Sequence, residues 1–335
     1  MILGNKKTEK HLLRLIENKN NIAHAFLFSG PQNTGKSRFA IEFAKALICQ
    51  EDKTHFGGCG RCDACKTALN KSNPDFIYFD PKQIGKDLGK SENVPIEKIR
   101  ELKKTLQLKP YFEKSYKVAV INDAHSIAQE GFNALLKLLE EPPKKSVLVL
   151  VTPYPEALPN TIISRMQNIK FSKISKEEIK KYLLDVKLDN LIEHIDYFSE
   201  NPDLLFDKNY RGLDKRKKAI DGFYEFLEMP LEKKYDHAET LVKKENELSE
   251  VIDSWLFAVK KSLLLKAERA EDFENTSQKR IEKNYITRYG LKDLAGMLKE
   301  LIELNHILKT TNVNKKIALD TFILKLEPHH YEHNI

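Results

Sequence analysis

Gly30-Pro31-Gln32-Asn33-Thr34-Gly35-Lys36-Ser37 has the G-x-x-x-x-G-K-[ST] spacing of a phosphate-binding loop. Small residues let backbone N–H groups curl around phosphate oxygens, and a lysine at Lys36 reaches the terminal phosphates. Ser37 offers a hydroxyl to Mg²⁺, and a helix opening here points its positive end at the anion. The run follows the apolar stretch Ala25 to Ser29 and leads into an amphipathic one, so both flanks suit that chemistry. The other reading of the same residues is an inherited turn that no longer binds nucleotide.

Hydrolysis asks for more than a grip on phosphate. P-loop ATPases end a later strand with an Asp that holds Mg²⁺ and, in one large class, a Glu that activates water. The stretch KVAVI is followed here by Asn122-Asp123-Ala124-His125. Asn122 takes the metal-holding place and Asp123 the place of the catalytic Glu. An amide lacks the negative charge that retains Mg²⁺, and Asp is one methylene shorter than Glu. A water misplaced by about 1 Å can cost roughly a hundredfold in rate. With the register slipped by one, Asp123 holds the metal and Ala124 is inert; the pair is incomplete either way.

Cys49, Cys59, Cys62 and Cys65 are the chain's 4 cysteines, in the spacing C-x9-C-x2-C-x2-C with Gly57, Gly58 and Gly60 among them. Four thiolates folded around one ion suit tetrahedral Zn²⁺, and with no ligand position left open such a site is structural. Free thiols and a redox-active disulfide are the alternatives. His55 falls inside the loop but is left out, because four sulfurs fill the shell.

Elements to position these groups alternate along the first half. Continuous apolar runs predict strands at Ala25 to Ser29, Phe76 to Asp80, Lys117 to Asp123, Ser146 to Thr152 and Asn168 to Ser172. Helical spacing predicts helices at Ser37 to Cys49, Ile96 to Leu108 and about Ser126 to Glu141, the last stopped by Pro142-Pro143. Alternating strands and helices imply βαβ units and a parallel sheet covered on both faces. Lys176 to Asp207 reads as short helices broken at Asn201-Pro202, and Lys215 to Leu326 as almost entirely helical. The expected organisation is an α/β domain over 1–172 with a cysteine insertion at 49–65, a small helical lid over 173–208 and an all-α domain over 209–335.

Composition narrows the class. The chain has 335 residues, 41% hydrophobic and 31% charged, with 13 Gly and 13 Pro, which excludes collagen-like and wholly disordered chains. No apolar run approaches the roughly 18 residues of a membrane span, and the N-terminus has no signal-peptide core, so no membrane association and a cytoplasmic location are expected. The net charge of +7 permits nucleic-acid contact without establishing it, since Lys and Asp/Glu are interspersed. The basic runs at Lys215 to Lys218 and Lys233-Lys234 read as solvated helix faces.

Four segments in order, HAFLFSGPQNTGKS, the cysteine insertion, NALLKLLEEPP (Asn133 to Pro143) and LPNTIISRM (Leu158 to Met166), resemble the bacterial clamp-loader subunits of DNA polymerase III, in the AAA+ superfamily. The match is strong over about 20 to 172 and weak beyond. That family contains a gamma/tau motor, which hydrolyses ATP, and a delta-prime stator. Asn122 in place of an acid, Asn201-Pro202-Asp203-Leu204 where the motor's lid carries a Gly-Ser-x-Arg pattern, and the absence of a long C-terminal extension are similar to the stator. The complete phosphate loop points the other way, since some stators have lost theirs.

The resemblance implies an AAA+ P-loop domain, a lid and a C-terminal collar, with Zn²⁺ on the four cysteines and ATP or ADP with Mg²⁺ at Gly30, Gly35, Lys36, Ser37 and Asp123. It implies that Arg165, in Ser164-Arg165-Met166, is an arginine finger lent to a neighbouring ATPase subunit, where a guanidinium against developing phosphoryl charge speeds transfer by several powers of ten. A surface arginine in a local ion pair is the other reading. Thr152 is implied as a polar phosphate sensor, or else as a strand-capping hydroxyl. Implied partners are gamma/tau-like and delta-like subunits in a hetero-oligomeric ring, the sliding clamp, and primed DNA through the assembly. An active motor subunit and a zinc-dependent nucleic-acid binder are the competing functions.

Overall fold

In the computed structural model of the chain, the described residues are 3–17, 22–51, 55–70, 72–80, 94, 96–206, 210–243, 245–267, 288–310 and 313–326. They form two compact units, Met1–Leu205 and Phe206–Ile335.

The first unit is built on five parallel strands in the order β2-β3-β4-β1-β5. These are β1 Ala25–Ser29, β2 Phe76–Phe79, β3 Lys117–Ile121, β4 Ser146–Thr152 and β5 Gln167–Lys170. β1, β3 and β4 are buried along their whole length, whereas β5, at one edge, buries only Ile169. That explains their continuous apolar runs: helices cover both faces, so no alternate residue meets water.

Successive side chains of one strand serve two different cores. Phe26, Phe28, Val118, Val120, Val147, Val149 and Val151 pack against Phe39, Phe43 and Leu47 of the helix Lys36–Ile48 and against Leu12 and Ile16 of the helix Lys6–Glu17. Ala25, Leu27, Ala119, Ile121, Leu148 and Leu150 pack on the other side, against the helices Ile96–Leu106 and Gln129–Glu140. The α/β expectation holds, with the phosphate loop at the C-terminal end of β1.

Three expected elements differ in detail. The predicted helix from Ser126 to Glu141 is a short 3-10 turn at Ala124–Ser126 and then a helix from Gln129, because the Ser126 N–H and hydroxyl both bond to Asp123 O. The edge strand begins at Gln167 and ends at Lys170, after which the Phe171 N–H still donates to Ser29 O. β2 stops at Phe79, one residue short of Asp80.

Within the segment predicted as a lid, Ser175 caps the helix Lys176–Asp185: its hydroxyl accepts from Glu178 N while its own N–H reaches Glu178 Oε2, both at 3.2 Å. The turn Pro202–Phe206 follows the break at Asn201; residues 207 and 208 of the predicted lid lie outside the described residues.

The second unit holds the helices Arg211–Glu228, Leu231–Lys243, Glu245–Ala267, Leu291–Thr310 and Lys315–Leu326. Trp255 is buried at its centre, with Phe223 and Phe226 each 5.0 Å away between ring centroids, and donates from Nε1 to Ala219 O at 3.2 Å. Residues 268–287, inside the predicted helical region, lie outside the described residues. Among the described residues no helix is long and apolar enough to cross a membrane.

Candidate functional site: a glycine-bounded loop and a four-cysteine cluster

Two close approaches fix the ends of the loop. Gly30 has φ +140°, and a Cβ there would meet Phe171 O at 2.3 Å, so only glycine fits where β1 hands over to the loop. At the far end Lys36 starts the helix Lys36–Ile48, which leaves its first N–H groups pointing into the loop.

Lys36 is 5% exposed, and its ammonium donates to Pro31 O at 2.5 Å and Thr34 Oγ1 at 3.3 Å. Burial lowers its pKa to about 8, opposed by the charges of Asp123 and Asp203. The hydrogen-bond acceptors of this buried cation are a carbonyl and a hydroxyl, both neutral, so the ammonium fits a phosphate.

Ser37 does not stand waiting for a metal. Its hydroxyl donates to Asn122 Oδ1 at 2.5 Å, across from the end of β3. Of the two residues after β3, Asn122 is thus the one bonded to Ser37, while Asp123 adopts left-handed backbone at φ 45° and its charge acts on Lys36. Asp tolerates that conformation better than most residues. The side-chain set Ser37–Asn122 is neutral, so it fits Mg²⁺ poorly, whereas the loop and Lys36 fit the phosphates. When bound, a nucleotide would be held by the loop's N–H groups and by Lys36.

Thr152, fully buried at the end of β4, accepts from Tyr154 N at 3.0 Å and lies 3.3 Å from His125 Nδ1. The His125 ring meets Tyr154 edge-on, 5.0 Å between centroids. The hydroxyl thus caps its strand and joins β4 to the turn after β3. Arg165, in the turn between the short helix Asn160–Ile163 and β5, donates to Thr161 O at 3.0 Å and pairs with Glu140 Oε1 at 3.1 Å. Both ends of that pair are well exposed, and an exposed ion pair contributes only about 0–1 kcal/mol. Such a pair is readily exchanged.

Two electrostatic relationships carry no local sequence signal. Asp203, in the turn Pro202–Phe206, shares an electrostatic neighbourhood with Lys36 and Arg38. It is exposed overall, yet the protein around its carboxyl costs it hydration and pushes its pKa above the usual carboxylate range, with Arg38 and then Lys36 pulling back. Tyr78 of β2 is pushed up by burial and then by the charges of Asp80, Asp123 and Asp203.

The four cysteines come together as a second, separate centre. Their sulfurs all lie within 4.8 Å of one another, with Cys59 and Cys65 3.9 Å apart. A tetrahedron with Zn–S of about 2.3 Å has edges of roughly 3.8 Å, so the set fits one zinc ion. The thiols are free of disulfides. Burial works to raise the Cys59 thiol, but the backbone N–H groups of Cys62 and Arg61 outweigh it and bring the pKa down to about 6. Burial pushes the Cys65 thiol up to about 12. A Cβ on Gly58 would meet Cys65 Sγ at 2.8 Å and Lys45 O at 3.0 Å, at φ +78°.

This centre is built onto the phosphate-loop helix. Cys49 caps its C-terminus, the Gly57 N–H donates to Glu42 O at 3.1 Å, and Phe56 packs on Phe39 at 5.7 Å.

The chain is 35% identical to the DNA polymerase III subunit tau of Bacillus subtilis over 174 residues, which is 51% of this chain and 29% of that protein. It is 32% identical to the DNA polymerase III subunit tau of Escherichia coli over 189 residues, 56% of this chain and 28% of that one. The chain therefore spans under a third of the length of these relatives. The crystal structure of a DNA polymerase III gamma subunit-related protein from Thermotoga maritima aligns with a TM-score of 0.46 at 18% identity, covering 96% of this chain and 99% of that one. The family described as "DNA polymerase III, delta subunit" matches residues 4–175. With half of its length so matched, including the loop, the cysteine centre and Arg165, the chain belongs to the DNA polymerase III delta-subunit family.

Proposed function

We propose that the chain is a delta-prime-like subunit of a bacterial clamp loader, a stator that grips nucleotide without hydrolysing it at a useful rate. The observation that carries this reading is the 2.5 Å hydrogen bond from Ser37 to Asn122. Phosphoryl transfer is catalysed almost wholly by positioning and by neutralising charge, with Mg²⁺ bridging the phosphates. An amide at the metal position withdraws the anionic ligand, and Asp123, one methylene short and turned into left-handed backbone, is poorly placed to aim a water.

In this reading the chain acts next door. Arg165 leaves Glu140 and enters the nucleotide site of a neighbouring gamma/tau-like ATPase subunit, opposing the charge that develops there. Thr152 relays the state of the chain's own pocket through His125. The cysteine centre holds a structural zinc, and the helices of the second unit join the collar of a cytoplasmic ring that also contains a delta-like subunit. The assembled ring loads the sliding clamp onto primed DNA.

The test is ATP turnover by the purified chain, alone and then mixed with motor and delta subunits, clamp and primed DNA. Negligible turnover alone, together with a lowered rate for the mixture when Arg165→Ala replaces the native chain, supports the stator. A gamma/tau-like motor is the second reading, favoured by the complete phosphate loop and by relatives named as tau subunits. It requires robust Mg²⁺-dependent turnover by the chain alone.

A further inference from the structure

Asn73, Pro74 and Asp75 lead from the cysteine insertion into β2, and the side chains of Asn73 and Asp75 join two segments that the sequence keeps far apart. Asn73 is buried, and its amide donates to Ala64 O at 2.8 Å and to Thr67 Oγ1 at 2.9 Å. Both acceptors lie on the helix Asp63–Leu69, which begins after Cys62 and contains Cys65. Asn73 Oδ1 accepts from the Asp75 N–H at 2.7 Å. The Asp75 carboxylate, fully buried, in turn accepts from the Tyr111 and Phe112 N–H groups at 2.8 and 3.1 Å. A second tie reaches the same loop from the phosphate-loop helix: the Tyr116 N–H donates to Leu47 O at 3.4 Å, two residues before Cys49. The loop held by these bonds shows apolar surface to water, with Leu108 62% and Tyr111 75% exposed.

We propose that the cysteine centre is a conformational brace: with its metal bound, it orders the surface loop 108–116 through Asn73 and Asp75. The inference rests on the zinc reading of the four cysteines. A helix of 7 residues is too short to persist alone. Its place therefore depends on Cys62 and Cys65 being held with Cys49 and Cys59 around one ion. Freed of the ion, the helix takes Ala64 O and Thr67 Oγ1 away from Asn73. A buried amide that loses its acceptors must find water, and the Oδ1 that fixes Asp75 moves with it. Asp75 keeps Lys117 but holds Tyr111 and Phe112 less often, so their N–H groups open to solvent.

Amide hydrogen exchange of the full chain, zinc-loaded and after zinc removal with EDTA, tests this residue by residue, beside elemental analysis of the same samples. Loss of zinc should speed exchange at Tyr111 and Phe112 by about tenfold or more, while Val120 and Val149, in the central strands, change by less than about twofold. Asn73→Ala with zinc still bound should show the fast Tyr111 and Phe112 exchange of the zinc-free native chain, and removing its zinc should add less than about twofold more. Thr67→Val, which takes one acceptor from Asn73 and leaves Ala64 O, should shift exchange the same way by a smaller factor. A chain purified without zinc removes the zinc reading and the proposal with it. One zinc per chain, with Tyr111 and Phe112 unmoved by its removal, overturns the coupling alone. So does a folded, zinc-loaded Asn73→Ala chain with native protection at the loop, or a rise at Val120 and Val149 equal to that at Tyr111 and Phe112.

Discussion

Ser37 Oγ and Asn122 Oδ1 lie 2.5 Å apart, hydroxyl to amide, at the place where a nucleotide-hydrolysing site would suspend a metal ion between hydroxyl and carboxylate. This contact ties the start of the helix Lys36–Ile48 to the end of β3 without any net charge. In the proposed function it leaves the loop its shape and little affinity for Mg²⁺.

Restoring the charge should restore the metal. Asn122→Asp is expected to make ATP binding Mg²⁺-dependent by about tenfold, measured by titration with Mg²⁺ and with EDTA, while the native chain changes less than twofold. Turnover should stay low in the variant, because Asp123 is untouched.

Lys36 sets a pH dependence whose sign can be worked out. Its folded pKa of about 8 lies below the unfolded value near 10.5, so between those values the unfolded chain binds more protons. Stability contributed by this residue therefore rises with pH across about 8 to 10.5, and below 8 the full cost of burying the ammonium is present. Lys36→Met should stabilise the nucleotide-free chain below pH 8 by up to about 3 kcal/mol, with the advantage shrinking toward pH 10.5. Urea denaturation at a series of pH values checks this.

The cysteine centre should hold one zinc per chain. Chelation is expected to release it and unfold the loop around Cys59 while the sheet persists, since structural zinc contributes roughly 10 kcal/mol or more to local folding. Gly58→Ala, which drives a methyl into Cys65 Sγ and Lys45 O, should lose the metal, and so should Cys62→Ser. Elemental analysis and hydrogen exchange read both effects; carefully purified native protein without zinc would contradict them.

At the starts of β2 and β3, Asp75 and Lys117 form a buried ion pair at 3.0 Å, with 0% and 5% of their side chains exposed. Asp75 also accepts from the N–H groups of Tyr111 and Phe112, holding the chain that leads into β3. Asp75→Ala strands a buried ammonium and should cost about 3–5 kcal/mol in denaturant unfolding. Adding Lys117→Met should recover much of that loss.

Local patterning made the interior of the first unit legible. Runs such as SVLVLVT are uninterrupted because β4 lies between β3 and β1 under helices on both sides, and that burial pattern is written in adjacent residues. The phosphate loop and the cysteine set were legible for the same reason: short spacing carries their chemistry. Helix periodicity failed at Ser126, where hydrogen bonds to Asp123 O hold a tighter turn that apolar spacing does not encode. Asp203 was legible only as part of the stretch Asn201 to Leu204, because the charges that act on its carboxyl, Arg38 and Lys36, lie more than 160 positions earlier. The partner of Arg165 was hidden likewise: Glu140 ends a helix 25 residues before it, and either could have faced water.

The most direct measurement is steady-state ATP hydrolysis by the reconstituted ring, with the native chain or with Arg165→Ala, beside the isolated chain as reference. The account predicts almost no turnover by the isolated chain and a drop on the order of a hundredfold or more at the neighbouring site when the guanidinium is removed. Brisk Mg²⁺-dependent turnover by the isolated chain, or a ring indifferent to the loss of Arg165, would contradict it.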